Sequence, residues 1–208
     1  MIQALVNQTE LVTFDEFIRW YPDSLQKYEL HEGVIVEMPK PTGTHSDIAG
    51  FISGKLFTFI DNRQLPYFIP KECVIKPAQE SGYEPDVIVL DRQQVIHNEA
   101  RWKKESIITF GNSIRLVIEV VSTNWSDDYA LKLEDYELLG IFEYWIVDYL
   151  ALGGRKFIGN PKQPTISIYN LVNGEYQVKQ FRGSERIESL VFPELTLTVE
   201  QIFQAGVI

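Results

Sequence analysis

An α/β fold is what the sequence predicts, on three observations. Residues 115–148, RLVIEVVSTNWSDDYALKLEDYELLGIFEYWIVD, read as a buried strand, a helix and a second buried strand. Helical spacing recurs at Ile48, Phe51, Ile52, Leu56, Phe59 and Ile60. Extended segments bounded by turn residues lie before and after these stretches. A chain of 208 residues, 45% hydrophobic and 12% aromatic, has material for a sizeable core, and no internal repeat or low-complexity linker divides it, so 1–208 reads as a single domain.

Each element has a local cause. Thr13-Phe14-Asp15-Glu16 is a capping box for a short helix with Phe14, Phe17 and Ile18 inward, stopped by Pro22. Residues 28–38 form two extended segments around Glu32-Gly33, a β-hairpin in which Glu29 points away from the face shared by Tyr28 and Leu30. Thr44 or Ser46 starts the long helix, with His45 at its entry. Tyr67-Phe68-Ile69 and Cys73-Val74-Ile75 are extended pieces broken by Pro70, a strand pair or one strand with an irregular entry. Pro85 can only begin a strand, so Asp86 stands at the mouth of the apolar run Val87–Leu90.

Residues 92–112 are polar, with Arg92, Arg101, Lys103 and Lys104 around Trp102, and read as a solvated insertion or as a basic, aromatic loop able to touch nucleic acid. Leu116–Val121 is the next strand. Ser126 caps the following helix, Asp127 and Asp128 sit in its first turn, and Gly140 ends it. Phe142–Asp148 is a strand, and the tail alternates Thr165–Leu171, the Asn173-Gly174 turn, Glu175–Phe181 and Ile187–Val191. Thr198–Gln201 repeats the capping-box pattern before a terminal helix with Ile202 and Phe203.

Composition bounds the function. The formal net charge of −10 argues against broad affinity for nucleic acid, although carboxylates gathered around a divalent ion would contribute to that total. No signal-peptide pattern and no apolar run of about 18 residues occurs, so neither export nor a membrane span is supported. The lone Cys73 excludes an internal disulfide and a cysteine zinc cluster, which with the missing signal points to the cytoplasm.

Two charges break the apolar patterns. Glu119 interrupts a strand otherwise covered on both faces, and a carboxylate there is costly unless a cation meets it. Lys132 falls inside the helical stripe of Tyr129, Leu133, Tyr136 and Leu139, and therefore faces inward. Singly, Glu119 reads as the polar member of an edge strand and Lys132 as a snorkelling edge residue. Together with Asp86 they form a set with a known use. Carboxylates hold Mg²⁺, and a lysine positions water and balances negative charge during phosphodiester hydrolysis.

Tyr28-Glu29-Leu30, the Gly33 turn, Thr42-Gly43 with His45, Pro85-Asp86, Ile118-Glu119-Val120, Lys132 before Tyr136, and Gly140 with Glu143–Asp148 resemble the Uma-two family. That group is described as restriction endonuclease-like proteins of the PD-(D/E)XK nuclease superfamily. The resemblance covers nearly the whole chain and is most specific over 118–148. It implies a restriction endonuclease-like mixed β-sheet flanked by helices, a Mg²⁺- or Mn²⁺-dependent DNA endonuclease, and a homodimer. It implies Asp86 and Glu119 as metal ligands, with the Val120 carbonyl as a further one, and Glu29 as an N-terminal acidic member of the site. Val121 occupies the place where the superfamily has a lysine, and the resemblance implies that this role has moved to Lys132. A non-catalytic binding or assembly protein on the same fold is the competing reading, favoured by the acidic balance and the missing lysine at 121. A carboxylate hydrolase acting on sugars ranks last, since it leaves the inward lysine unexplained.

Overall fold

Thr13 opens α1 (Phe14–Trp20) through the predicted reciprocal cap: its hydroxyl accepts from the Glu16 N–H at 3.3 Å, and the Glu16 carboxylate accepts from the Thr13 N–H at 2.8 Å. The computed structural model describes residues 11–207. β1 (Tyr28–His31) and β2 (Val34–Glu37) form the predicted hairpin, turned at Glu32 and Gly33 with φ of 48° and 83°. α2 (Gly43–Asn62) is capped by Thr42 rather than Thr44 or Ser46. The Thr42 hydroxyl accepts from the His45 N–H at 3.2 Å, so the helix starts earlier and takes His45 into its first turn.

The pieces on either side of Pro70 do not pair with each other. β3 (Tyr67–Phe68) lies antiparallel to β5 (Val87–Asp91), whereas β4 (Val74–Ile75) pairs in parallel with a later strand. Residues 92–112 carry more structure than a solvated insertion: α3 (Arg92–Asn98), α4 (Trp102–Glu105), β6 (Ile107–Ile108, the partner of β4) and a 3₁₀ turn at Gly111–Ser113. Arg101 is engaged by Asp15 at 2.6 Å and Glu105 at 2.7 Å, and Trp102 packs edge-on to Phe68. Arg101 and Trp102 are thus engaged within the fold, while Lys103 and Lys104 are exposed.

β7 (Ile114–Val120), α5 (Lys132–Leu139) and β8 (Glu143–Asp148) realise the predicted strand–helix–strand unit, and β7 and β8 run parallel. Parallel neighbours need such a crossover, and both strands are covered on both faces. α6 (Arg155–Ile158), β9 (Thr165–Val172), β10 (Glu175–Phe181) and α7 (Val199–Gln204) complete the chain. The sheet order is β10-β9-β8-β7-β5-β3, a mixed sheet in which only β7 and β8 are parallel neighbours. Residues 187–191 are not a strand; the Leu190 and Val191 N–H groups donate instead to the buried Glu143 carboxylate, at 2.6 and 3.2 Å. No helix among the described residues is long and apolar enough to cross a membrane.

Alternation along β7 divides the core. Leu116, Ile118 and Val120 face Ile48, Ile52 and Leu56 of α2, with Ile202 of α7 in the same cluster. Val117 and Val121 face the other way, toward Tyr136 of α5 and Tyr144 and Ile146 of β8. Glu119 lies on this second face, under α5. The end of α5 is seated against the 3₁₀ turn, where a Cβ on Gly111 would overlap the Leu139 carbonyl and Gly140. Gly111→Ala is therefore expected to destabilise the protein by about 1–3 kcal/mol in urea unfolding. Gly50→Ala, at an exposed α2 position with open space around it, is expected to stabilise by about 0.5–1 kcal/mol. Equal effects at the two positions would contradict this packing.

Candidate functional site

The crossover after β7 begins irregularly. Asp127–Leu131 is a π-helical turn, with the Lys132 N–H donating to the Asp127 carbonyl five residues back. Ser126 is already helical and makes no side-chain cap, contrary to the prediction. The wider turn changes which residues face the sheet: Asp128, Tyr129, Lys132 and Tyr136 are all buried. Asp128 thus leaves the solvated first-turn position that its place in the sequence implied.

Lys132 is where the buried charges meet. Its Nζ lies 3.1 Å from Glu29 Oε1, 3.1 Å from Glu119 Oε1 and 3.6 Å from Asp128 Oδ1. Exposure is 3% for Lys132, 1% for Glu29, 3% for Glu119 and 6% for Asp128. Tyr136 donates its hydroxyl to the same Glu119 oxygen at 3.2 Å, and the Tyr83 ring lies 5.7 Å from the ammonium. Glu29 is fixed from its other sides by the Glu84 N–H at 3.0 Å and by His31 Nε2 at 2.8 Å.

Asp86 and Glu119 are joined through the backbone. The Asp86 N–H donates to Glu119 Oε2 at 3.3 Å, and Asp86 Oδ2 accepts from the Val120 N–H at 2.8 Å. His45 Nε2 lies 3.2 Å from Asp86 Oδ2 and 2.8 Å from the Val120 carbonyl oxygen. A carbonyl only accepts, so Nε2 carries the proton in this arrangement. The structure therefore brings together Glu29, Asp86, Glu119, Val120 and Lys132, all named from the sequence. It adds Asp128, Tyr136, His31 and a buried His45. All of these except Tyr136 and His31, which back the site from behind, line a cleft of about 370 Å³ that also admits Lys27 and Lys40.

Burial disfavours every charge here, and the partners decide the balance. Burial lowers the Lys132 pKa, but Glu119, Glu29 and Asp128 together raise it well above the ordinary lysine value. Burial also opposes ionisation of Glu29; Lys132, His31 and the Glu84 N–H outweigh it, and its pKa falls. Glu119 goes the other way. Its burial, with repulsion from Asp86, Asp128 and Glu29, exceeds the attraction of Lys132 and holds its pKa well above the carboxylate range. Burial likewise pushes Asp128 up to about 7. Burial works against the charged imidazole of His45, but the Asp86 hydrogen bond and charge prevail and raise its pKa. Four carboxylates thus gather around Lys132, His31 and His45, and two of them, Glu119 and Asp128, hold their protons above the ordinary carboxylate range.

Among the described residues no three Asp, Glu, His or Cys side chains form a ready group for a metal ion. The oxygen donors available are Asp86, the outer oxygen of Glu119 and the Val120 carbonyl. Two carboxylates and a carbonyl beside an open cleft fit Mg²⁺ or Mn²⁺, which keep much of their water and take few protein oxygens. The donor set and the crowding of carboxylates are therefore compatible with a hydrated divalent ion.

The same architecture occurs in a crystal structure described as a putative nuclease belonging to DUF820 from Anabaena variabilis ATCC 29413. The TM-score is 0.69 at 19% identity, covering 94% of this chain and 99% of that one, so the two share a fold. The model of the family Uma2, described as "Putative restriction endonuclease", matches residues 14–200, and the chain belongs to that family. No curated protein matches the chain.

The charge balance gives a pH signature. The Asp128 pKa is raised from 3.8 to about 7, so the folded state binds this proton more tightly than the unfolded state. Its contribution to stability is complete below pH 3.8 and is lost as pH rises through about 7. Asp128→Asn is expected to flatten the decline in unfolding free energy across that window, measured by urea titration at a series of pH values. A decline parallel to that of the wild type would show that Asp128 is not held in this way.

Proposed function

We propose that the protein is a divalent-metal-dependent DNA endonuclease whose working residues are Glu29, Asp86, Glu119 and Lys132. The observation that carries this reading is the meeting of Asp86, Glu119 and Lys132 at one cleft, from the mouth of β5, from β7 and from the crossover helix. The family's description as a restriction endonuclease supports the same chemistry. Val121, just past the end of β7, lies two residues on from Glu119 and so on the same face, against which Tyr136 of α5 packs. Lys132 of the crossover helix brings its ammonium to that same face, 3.1 Å from Glu119. The sheet's alternation thereby supports the migration of the lysine from strand to helix.

Asp86, Glu119 and the Val120 carbonyl would hold Mg²⁺ or Mn²⁺. Bound there, the ion supplies neutralisation of the phosphate and a more acidic water. Lys132 contributes a fixed positive charge that orients the attacking water and offsets the negative charge growing on the phosphate oxygens. Glu29, 3.1 Å from the ammonium, holds Lys132 in place together with Glu119. Tyr136 anchors the inner oxygen of Glu119, leaving the outer one for the cleft. In this reading the chain acts in the cytoplasm as a homodimer, with one site for each strand of the duplex.

Supercoiled plasmid incubated with the purified chain and Mg²⁺ or Mn²⁺ tests the proposal. Nicking is expected. Asp86→Ala and Glu119→Ala should each slow it by about a hundredfold or more, since charge stabilisation by a metal is worth several kcal/mol and about 1.4 kcal/mol is tenfold. Wild-type rates in both variants would end the catalytic claim. The full engagement of Lys132 by carboxylates favours one alternative, a non-catalytic nuclease-fold protein in which the Glu29–Lys132–Glu119 contacts are structural. Calorimetry separates the two. Metal binding that vanishes in the Asp86→Ala, Glu119→Ala double variant belongs to a working site, and its absence from the wild type belongs to a structural one.

A further inference from the structure

His45 has no part in the chemistry described so far, yet α2 places it at the centre of the donor set. The cap at Thr42 turns its side chain inward, and only 8% of the residue is exposed. Nε2 stands 2.8 Å from the Val120 carbonyl oxygen and 3.2 Å from Asp86 Oδ2. Helix α2, strand β7 and the approach to β5 thus each bring one donor atom to a single point.

Those separations match the edge of a coordination shell. In an octahedron with ligands at about 2.1 Å, adjacent ligand atoms lie about 3 Å apart. The imidazole proton now bridges these two separations, and a cation could take its place once Nε2 gives that proton up to solvent. An ordinary buried histidine needs one acceptor for its proton. This one faces two oxygens that come from different elements and border the same cleft.

We propose that His45 is a nitrogen ligand of the divalent ion, alongside Asp86 and the Val120 carbonyl, and that it shifts the centre's preference from Mg²⁺ toward Mn²⁺. Imidazole is a poor partner for Mg²⁺, which favours carboxylate, carbonyl and water, whereas heavier first-row ions bind nitrogen more strongly. This rests on the metal-centre reading given under Proposed function and adds to it a ligand and a metal preference.

Mn²⁺ alone, added to the full chain, is the probe. Pulsed electron paramagnetic resonance on wild-type protein is expected to show a ¹⁴N coupling that is replaced by a ¹⁵N coupling when histidine is ¹⁵N-labelled. This measurement needs no variant. In His45→Ala, checked for folding by circular dichroism, the coupling should disappear, Mn²⁺ affinity should fall by at least about tenfold, and the preference for Mn²⁺ over Mg²⁺ should narrow. His31 and His97 remain in that variant as internal controls. If Mn²⁺ binds, is lost in Asp86→Asn and shows no histidine coupling, His45 is only a hydrogen-bond donor: the ligand assignment falls and the metal centre stands. If wild type binds no Mn²⁺, or Asp86→Asn binds it equally well, the metal centre fails and the assignment of His45 fails with it.

Discussion

The ammonium group of Lys132 is what permits three carboxylates to lie buried beneath one side of the sheet. Removing a carboxylate from water is costly, and the cost is offset only by a close opposite charge and hydrogen bonds. Glu29 comes from the hairpin, Glu119 from the central strand and Asp128 from the π-helical turn, and all three face this single cation. The placing of the hairpin against the sheet is therefore tied to the helix that crosses from β7 to β8. Around the charges, Tyr83, Tyr136 and Tyr144 form an aromatic shelf that keeps water from the inner side.

Lys132 does not complete the balance. Burial, joined by repulsion from Asp86 and Glu29, makes Glu119 and Asp128 hold their protons more tightly despite the lysine. A site that existed only to staple the fold would gain from fewer carboxylates, since unmatched buried charge is destabilising. Their crowding is understandable if the cleft receives a cation. Perturbed carboxylates in a cleft are a common mark of functional sites.

The parts of this arrangement legible in the sequence were those with local signatures. Capping boxes at Thr13 and Thr198 marked their helices because the donors and acceptors lie three residues apart. Glu119 and Lys132 were conspicuous because a charge inside an apolar period is a local anomaly. Asp128 was not, because an acid in a helix's first turn is ordinary, and only the π turn brings it inward. The burial of His45 depended on Thr42 being the cap. The segment 187–191 has strand-like residues, but the N–H groups of Leu190 and Val191 are taken by Glu143, more than forty positions away. Likewise β3 and β4, two residues each, are assigned to different sheets by distant partners.

The central claim is that Asp86, Glu119 and Lys132 form one site for a divalent ion, not an acid pair beside an unrelated salt bridge. Anomalous diffraction from crystals soaked in Mn²⁺ tests it most directly. The expected map has one strong peak in the cleft against the Asp86 carboxylate and the Val120 carbonyl, with the Lys132 amine still in contact with Glu119. A map without a peak in the cleft, or with Lys132 turned away from Glu119 to solvent, would contradict it.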